Sequence, residues 1–319
     1  MGTSGPSKFT IQQKGVKARK KSPEYRLLGS VLIYTVLVVL ALLWTLPTLG
    51  LLITSIRPPD DVNGSGWWTV LFNPEKVRLT LDNYRIVLGL GLDQVQVNLD
   101  RNEGDIQLLK SVMNTIIMTI PSTVIPIFLA AIAAYAFAWM RLPASQFLFT
   151  VVVALLVVPF QIALIPVLKD YNVLGLNGTF LGVWLANTGF GLSLATYLLY
   201  NYISTLPRDI FESAFIDGAS HFTVFNKIVF PLSLPALASF AIFQFLWVWN
   251  GVLVPLVFMG EKQEYMVLPQ RILQMLGTYQ TQWNLLTAGA FISMLIPLVV
   301  FLGFQRYFVR GMMAGSVKG

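Results

Sequence analysis

Three side chains near residue 247 have the chemistry to bind a polar solute. Gln244, Trp247 and Asn250 follow one another at steps of three residues in an apolar stretch, so in an α-helix they share about a third of the circumference. Two amides and an indole on one face are suited to hydrogen bonding and stacking on a hydroxyl-rich solute. The same side chains also link membrane helices to one another. The sequence leaves both interpretations open.

Further neutral polar groups occur in the apolar stretches and are weaker candidates for lining a pathway: Asn114, Gln161 and Asn187. Prolines also fall inside these stretches, at 121, 126, 159, 166, 255 and 297. Each proline frees a backbone carbonyl and is able to kink a helix, which suits a rocking gate. Proline is nevertheless ordinary in membrane helices, and this plainer interpretation is the favoured one.

Ionisable groups are missing from the apolar stretches. None contains Asp, Glu, Lys, Arg or His, although ion-coupled carriers commonly place such groups at membrane depth. The chain also lacks the G-x-x-x-x-G-K-[ST] pattern that cradles nucleotide phosphates. The single histidine, His221, has no neighbouring metal ligands, and there is no cysteine. We therefore predict no catalytic residue, metal site or cofactor, and expect a partner to supply the energy.

Composition identifies the elements that position these side chains. Of 319 residues, 55% are hydrophobic and only 12% are charged, which is more apolar surface than a soluble core of this size can bury. The sequence predicts an all-α polytopic membrane protein with six spans, each at least as long as the ~20 residues that cross a bilayer. The spans cover 31–54 and about 111–140, 146–168, 176–203, 232–259 and 283–305.

The remaining segments are polar. Residues 1–30 form a basic tail, 55–110 a polar segment of unreadable fold, and 308–319 a C-terminal tail. With both termini, the gap at Arg141 and the 204–235 gap on one side of the membrane, that side holds 13 of the 22 Lys and Arg but only 4 of the 15 Asp and Glu. Basic residues favour the cytoplasm. The charge pattern therefore predicts cytoplasmic termini and an extracytoplasmic 55–110, and it explains the net charge of +7 without nucleic acid.

Residues 204–235 interrupt the spans with two short amphipathic helices. Ser204 and Thr205 are expected N-caps of the first, with Pro207 at its start. Asp217-Gly218 breaks the pattern, and the second helix is predicted to have Ser220 as its N-cap and to end at Pro231. We expect both helices to expose aromatic side chains for docking, at Phe211, Phe215, Phe222 and Phe225.

The same stretch resembles the EAA signature of ABC importer permeases, E-A-A-x-x-D-G-A, then eight residues, then I-x-L-P. The chain reads ESAFIDGA, SHFTVFNK and IVFP. Matching residues are Glu212, Ala214, Asp217, Gly218, Ala219, Ile228 and Pro231. Ser213 and Phe230 depart conservatively. AAYAFAWMRLP, WVWNGVLVPLVF and RYFVRGMMAGSVKG are similar to the carbohydrate-type, MalG-like branch.

The resemblance implies a type I permease core over 111–307, with five spans and a coupling helix in the 204–235 loop. It implies a sugar importer, for a di- or oligosaccharide, that works by alternating access in a bacterial-type cytoplasmic membrane. The expected partners are a second permease subunit, an ABC ATPase dimer carrying ATP and Mg²⁺, and an extracytoplasmic sugar-binding protein. The expected coupling residues are Glu212, Ala214, Asp217, Gly218, Ala219, Phe222 and Phe225.

An ion-coupled secondary transporter of a small polar solute is the alternative. A backbone-carbonyl Na⁺ site would need no charged side chain in the spans. A membrane-embedded enzyme would need a nucleophile, base or metal set in the bilayer, and the spans offer none. The MalG-like permease remains the favoured prediction.

Overall fold

A computed structural model describes residues 23–73, 75, 77–90, 108–278 and 282–314, with side chains from residue 29 to residue 306. Predictions about residues 1–22, 91–107 and 315–319 fall outside this part of the chain. Its regular structure is helical. The helices are α1 (Pro23–Ser55), α2 (Pro59–Gly64), α3 (Thr69–Phe72), α4 (Asp82–Leu88), α5 (Leu108–Trp139), α6 (Ser145–Ala154), α7 (Phe160–Leu174), α8 (Phe180–Ile203), α9 (Arg208–Ile216), α10 (His221–Val224), α11 (Phe230–Trp249), α12 (Leu253–Met259), α13 (Leu268–Thr278) and α14 (Trp283–Ala314).

The chain forms two compact units, Met1–Gly50 and Leu51–Gly319. In the first, α1 exposes its apolar side chains, and Trp44 is 84% exposed. α1 starts at Pro23, so the last residues of the predicted 1–30 tail are helical. Proline is favoured at a first helical position because no intrahelical bond needs its N–H there. At the other end, α14 continues to Ala314, well into the predicted 308–319 tail.

Span-length helices are fewer than the six predicted. Among the described residues, four helices are long and apolar enough to cross a bilayer, and a bent pair makes up to five. The helix α8 has 24 residues, enough for ~30 Å at 1.5 Å per residue, but does not reach the same hydropathy. The six-span topology and the cytoplasmic termini stay predictions.

The predicted continuous span at 146–168 is wrong. Helix α6 passes into a 3₁₀ turn at Leu155–Val157, the chain breaks at Val158 and Pro159, and α7 leaves at 103°. Val158 has the extended ψ of 116°, as expected before proline, whose ring disfavours a helical residue at the preceding position.

The predicted boundaries at 231–232 and at 259 also need correction. The second loop helix does not end at Pro231: α10 passes through a π-helical turn, Phe225–Val229, into α11 as one 29-residue helix. Pro231 is the second residue of α11 and follows the π-helical turn without breaking the helix. The helix then ends at Trp249, and α12 begins only at Leu253.

At three prolines, a side chain of a neighbouring helix donates to the backbone carbonyl that the proline leaves without its helical hydrogen bond. Pro126 of α5 cannot donate to the carbonyl of Ser122, and Gln244 Nε2 of α11 donates to that oxygen instead, at 3.2 Å. Helix α5 therefore has a bond to its neighbour where it loses its own. The arrangement recurs at Pro121, where Trp184 Nε1 donates to Ile117 O at 3.0 Å, and at Pro297, where Trp249 Nε1 donates to Ser293 O at 3.1 Å.

Side-chain hydrogen bonds hold the described part of residues 55–110 together. The buried Arg57 donates to Asp61 O at 2.7 Å. Asn83 donates to the carbonyls of Ser55 and Arg57, both at 2.8 Å, and its Oδ1 accepts from Asn284 Nδ2 at 2.8 Å. These bonds attach the segment to the first turn of α14.

Candidate functional site

A Schellman turn ends the first helix of the 204–235 loop. Ala219 N donates to Ala214 O at 3.0 Å and Gly218 N donates to Phe215 O at 3.1 Å, the two bonds that define this helix end. The turn needs a left-handed residue after the C-cap, and Gly218 has φ 81° there. Asp217 is the C-cap. The D-G-A of the signature therefore forms the bend between α9 and α10.

The helix starts differ from the prediction at one of two places. Pro207, not Ser204 or Thr205, occupies the N-cap of α9, and no side-chain cap is made there. The two hydroxyls donate backwards instead, to Asn201 O at 3.2 Å and Tyr202 O at 2.7 Å. At α10 the prediction is confirmed, because Ser220 Oγ accepts from Thr223 N at 3.2 Å.

One side of the loop is anchored in the helix bundle. Phe211 is fully buried and stacks on Trp139 of α5, with ring centroids 3.7 Å apart and planes 9° apart. Trp139 Nε1 donates to Ile203 O at 3.2 Å. Phe225 is 6% exposed and lies 5.7 Å from Tyr135 between ring centroids. The expectation that Phe211 and Phe225 form exposed docking surface is therefore wrong: they fill the core below the loop.

His221 joins this anchor. Its Nδ1 lies 2.8 Å from the hydroxyl of Tyr135, and its ring meets Phe215 edge-on with centroids 5.0 Å apart. The loop is therefore attached to α5 by one hydrogen bond as well as by ring packing. The sequence gives no sign of this pairing, since the two residues lie 86 positions apart.

The opposite side of the loop is exposed and apolar. Ile216 is 85% exposed, Phe222 77% and Phe215 37%. The charged residues Glu212 and Asp217 of the signature are exposed beside them. Ala214 and Ala219 are half-buried and close the turn. Surface of this kind, apolar with a charged rim, is typical of an interface with another protein.

A cavity of 280 Å³ lies where α7 begins beside α8 and α11. Three of the predicted pathway residues, Gln161, Gln244 and Trp247, line it. Ser193 and Phe160 line it as well. None of its lining side chains is ionisable, and most of them are apolar.

A second cavity of 90 Å³ adjoins the first along α11. Asn187 lines it, and its Nδ2 also lies 3.4 Å from Ser122 Oγ. Phe160 and Trp247 line both cavities and meet at right angles, with centroids 5.7 Å apart and planes at 89°. This ring pair separates the two spaces.

The remaining two predicted pathway residues, Asn114 and Asn250, donate hydrogen bonds to backbone carbonyls of the chain. Asn114 is buried and donates to Glu264 O at 2.9 Å and Met266 O at 3.2 Å. Asn250 caps the end of α11, with its Nδ2 donating to Leu246 O at 2.8 Å. Neither lines the two cavities, so a pathway role for Asn114 and Asn250 stays a prediction that these cavities do not support.

Family comparison decides what kind of protein this geometry belongs to. Residues 106–314 match the family described as "binding-protein-dependent transport system inner membrane component". The chain belongs to this family. The prediction of a carbohydrate-type ABC importer permease is thereby confirmed at the level of the family.

Relatives of this inner-membrane component cover nearly the whole chain. It is 51% identical to the osmoprotective compounds uptake permease GgtD of Synechocystis, over 90% of this chain and 91% of the relative. It is 41% identical to the alpha-glucoside transport permease AglG of Rhizobium meliloti, over 88% and 95%. A bacterial ABC transporter that imports the acidic polysaccharide alginate has the same fold, with a TM-score of 0.66, 20% identity and coverage of 90% and 99%.

Most residues that line the 280 Å³ cavity of this inner-membrane component were not predicted, among them Phe160 and Ser193. Phe160 looks like any aromatic of an apolar run, and it lines the cavities only because the chain turns by 103° immediately before it. Ser193 is one small polar residue in a long helix. The V-P-F sequence at 158–160 is no reliable signal, since Ile120-Pro121 and Ile125-Pro126 have the same pattern inside the unbroken helix α5.

Proposed function

We propose that this chain is one permease subunit of an ATP-driven ABC importer for a sugar, a di- or oligosaccharide. In this proposal it forms half of the translocation pathway and works by alternating access. The 204–235 loop receives the ATPase movement on the cytoplasmic side. The partners are a second permease subunit, an ABC ATPase dimer that binds ATP and Mg²⁺, and an extracytoplasmic sugar-binding protein.

The two-sided loop is the observation that carries the proposal. Its buried side, Phe211 on Trp139, attaches it to α5, while Phe222 and Ile216 on the other side remain 77% and 85% exposed. A loop that only folded on its own helices would have no reason to leave such apolar groups uncovered. Together with the EAA-like spacing, this favours docking in a groove of the ATPase.

Continuity of the backbone supports transmission of the movement. The helix from His221 to Trp249 runs without a break from the loop to the cavity residues Gln244 and Trp247. A displacement of the loop therefore tilts or shifts the wall of the cavity directly. The π-helical turn Phe225–Val229 is the place where this helix has the loosest geometry.

The cavity and the relatives support a sugar as the solute. Amide, hydroxyl and indole groups line the 280 Å³ cavity beside apolar side chains, a combination that suits hydroxyl-rich molecules with apolar ring faces. One relative is named for alpha-glucoside transport and another for osmoprotective compounds.

Purification and reconstitution test the function. We expect the chain to copurify with an ATPase and a second permease, and we expect the sugar-loaded binding protein to stimulate ATP hydrolysis in proteoliposomes. Uptake that proceeds without ATP and collapses with an ionophore would establish the ion-coupled carrier instead.

A matched pair of variants tests the loop. Phe222→Asp places a charge in the exposed apolar surface and should abolish ATPase copurification, because a buried unpaired charge costs several kcal/mol, on the order of 3–5. Phe222→Leu keeps the surface apolar and should retain assembly. If Phe222→Asp assembles and hydrolyses ATP like the wild type, the loop does not dock there.

A further inference from the structure

A third cavity, of 200 Å³, lies near the polar turn that follows α12. Its polar lining consists of Glu261, Gln263, Gln270 and Gln274. Its apolar lining comes from Val252, Leu256, Met266 and Leu273. The charge distribution places this turn on the extracytoplasmic side. Three amides and one carboxylate therefore surround this small space.

Arg271 sets the direction in which two of the amides point. This side chain is 7% exposed, and its Nη1 donates to Gln263 Oε1 at 2.5 Å and to Gln274 Oε1 at 2.8 Å. Both amide oxygens are thus engaged. Within the described part of the chain, neither NH₂ group donates to a partner, so both remain available as hydrogen-bond donors.

Other lining groups complement these donors. The carboxylate of Glu261 accepts hydrogen bonds, and the half of the wall formed by Met266 and Leu273 is apolar. A sugar or polyol presents hydroxyls on its rim and C–H groups on its faces. The cavity therefore offers such a molecule donors, an acceptor and a nonpolar wall.

The wall of the cavity is already held in place. Gln270 is buried, its Oε1 accepts from Val267 N and its Nε2 donates to Gly260 O, both at 3.2 Å. Asn114 donates to the carbonyls of Glu264 and Met266. These bonds fix the turn around the cavity, so a solute would find a preformed site and little ordering cost.

Val252 connects this cavity with the pathway. It lines the 200 Å³ cavity and also the 90 Å³ cavity, which in turn shares Phe160 and Trp247 with the 280 Å³ cavity. The three spaces therefore form a row along α12 and α11, from the amide-lined turn towards the middle of α11.

We propose that the cavity lined by Gln263, Gln274 and Glu261 is a solute-binding site for a neutral, hydroxyl-rich molecule, occupied before the molecule reaches the cavity beside Gln244. The inference rests on the proposed function as a sugar permease. It adds a named site on this subunit, with Arg271 as the residue that positions the two donating amides.

Cysteine protection tests the site, because the chain has no cysteine of its own. Leu273→Cys lies in the cavity, and Leu276→Cys is a matched control one turn further along α13 and outside it. Both leucines are exposed, by 55% and 47%. The full chain, with the subunits that copurify, is reconstituted and alkylated with a maleimide in the absence of the binding protein. Uptake is measured in parallel proteoliposomes to which the binding protein is added.

Trehalose at 100-fold above the concentration that half-saturates uptake is expected to slow alkylation of Leu273→Cys at least threefold and to leave Leu276→Cys unchanged. Glycine betaine, an osmolyte without hydroxyls, should protect neither. Gln274→Met in the Leu273→Cys background removes one donor while Arg271 keeps Gln263 as acceptor, and it should abolish protection. Maltose serves as a second probe in case trehalose is not transported.

Two results would overturn the proposal. Equal alkylation rates with and without either sugar, in proteoliposomes that take up that sugar, would remove the site and leave the permease function standing. Protection that requires the sugar-free binding protein and no sugar would make the cavity a protein contact. If no uptake of any sugar is found but protection is seen, the site stands and the proposed function fails.

Discussion

Gly218 occupies a backbone conformation that few other residues adopt, in open space. Its φ is 81°, and nothing lies within 4 Å of the position that a Cβ would take. We predict that Gly218→Ala destabilises the protein by about 1–2 kcal/mol from backbone strain alone. Gly218→Asn should recover part of this loss, since asparagine tolerates the left-handed region. Thermal unfolding in detergent measures both.

Gly277→Ala is the matched control. Gly277 lies in α13, also with nothing within 4 Å of a Cβ, but without a positive φ. Alanine there should be neutral or stabilising by about 0.5–1 kcal/mol. An equal loss of stability at 218 and 277 would mean that strain at the bend is not the cause.

Phe211 and Phe222 should behave in opposite ways although both belong to the same loop. Phe211→Ala removes a fully buried ring from its stack on Trp139 and is expected to cost about 3–5 kcal/mol of stability. Phe222→Ala, at a position 77% exposed, should leave the thermal midpoint within a degree or two but weaken ATPase copurification. A stable Phe211→Ala protein would contradict the anchoring role.

The loop illustrates what a sequence tells about single residues. The spacing around Glu212 and Gly218 locates the signature and its bend, and both are where they were expected. Spacing does not separate the buried Phe211 and Phe225 from the exposed Phe222, because all lie on apolar faces of short helices. That choice depends on α5, which contributes Trp139 from far away in the sequence.

At the scale of helices, a coupling energy is expected between each proline and the side chain that donates to the carbonyl four residues before it. Gln244→Leu leaves the Ser122 carbonyl without the bond that replaces the one lost at Pro126, and should cost about 1–3 kcal/mol. Pro126→Ala restores a backbone N–H to that carbonyl. The double variant should therefore lose less stability than the two single variants added together, as a double-mutant cycle of unfolding free energies measures.

Trp184→Phe with Pro121→Ala repeats the cycle at a second site and checks its generality. Additive losses at both sites would show that the prolines and the donors act independently. A change of apparent sugar affinity in Gln244→Leu, without a change in stability, would instead favour a solute-binding role for this amide.

Hydropathy predicts which stretches are apolar but not where their helices bend. The run 146–168 is continuous in hydropathy, yet it breaks at Val158 and Pro159, whereas Ile125-Pro126 stays helical within α5. Pro231 did not break its helix, because the π-helical turn before it already leaves backbone donors and acceptors in a different register. Proline alone therefore does not indicate which of the two outcomes occurs.

At the scale of the whole molecule, the orientation in the membrane is open to a direct test. Ile216→Cys in the loop and Lys262→Cys in the turn after α12 are both exposed positions in a chain without cysteine. In right-side-out vesicles we expect a membrane-impermeant maleimide to label Lys262→Cys at once, and Ile216→Cys only after permeabilisation. The charge distribution predicts this difference.

Labelling of both positions from the same side would contradict an odd number of membrane crossings between them. Permeabilised vesicles, in which both variants should react, control for the reactivity of each cysteine.

The family and the helical fold followed from the sequence, since hydropathy and a spaced motif are local properties. The cavities did not, because they depend on which faces of α7, α8 and α11 meet in space.

In the uninterrupted helix from His221 to Trp249, the number of residues determines which way the cavity side chains point. Each residue turns an α-helix by about 100°, so one residue added or removed after the π-helical turn would rotate Gln244 and Trp247 away from the cavity while the loop stayed anchored by Phe225. Substitutions in this stretch are tolerable as long as they pack, but a change in residue count is not. The stretch is therefore expected to vary in composition among functional permeases while its length stays constant, because its length determines which side chains face the cavity.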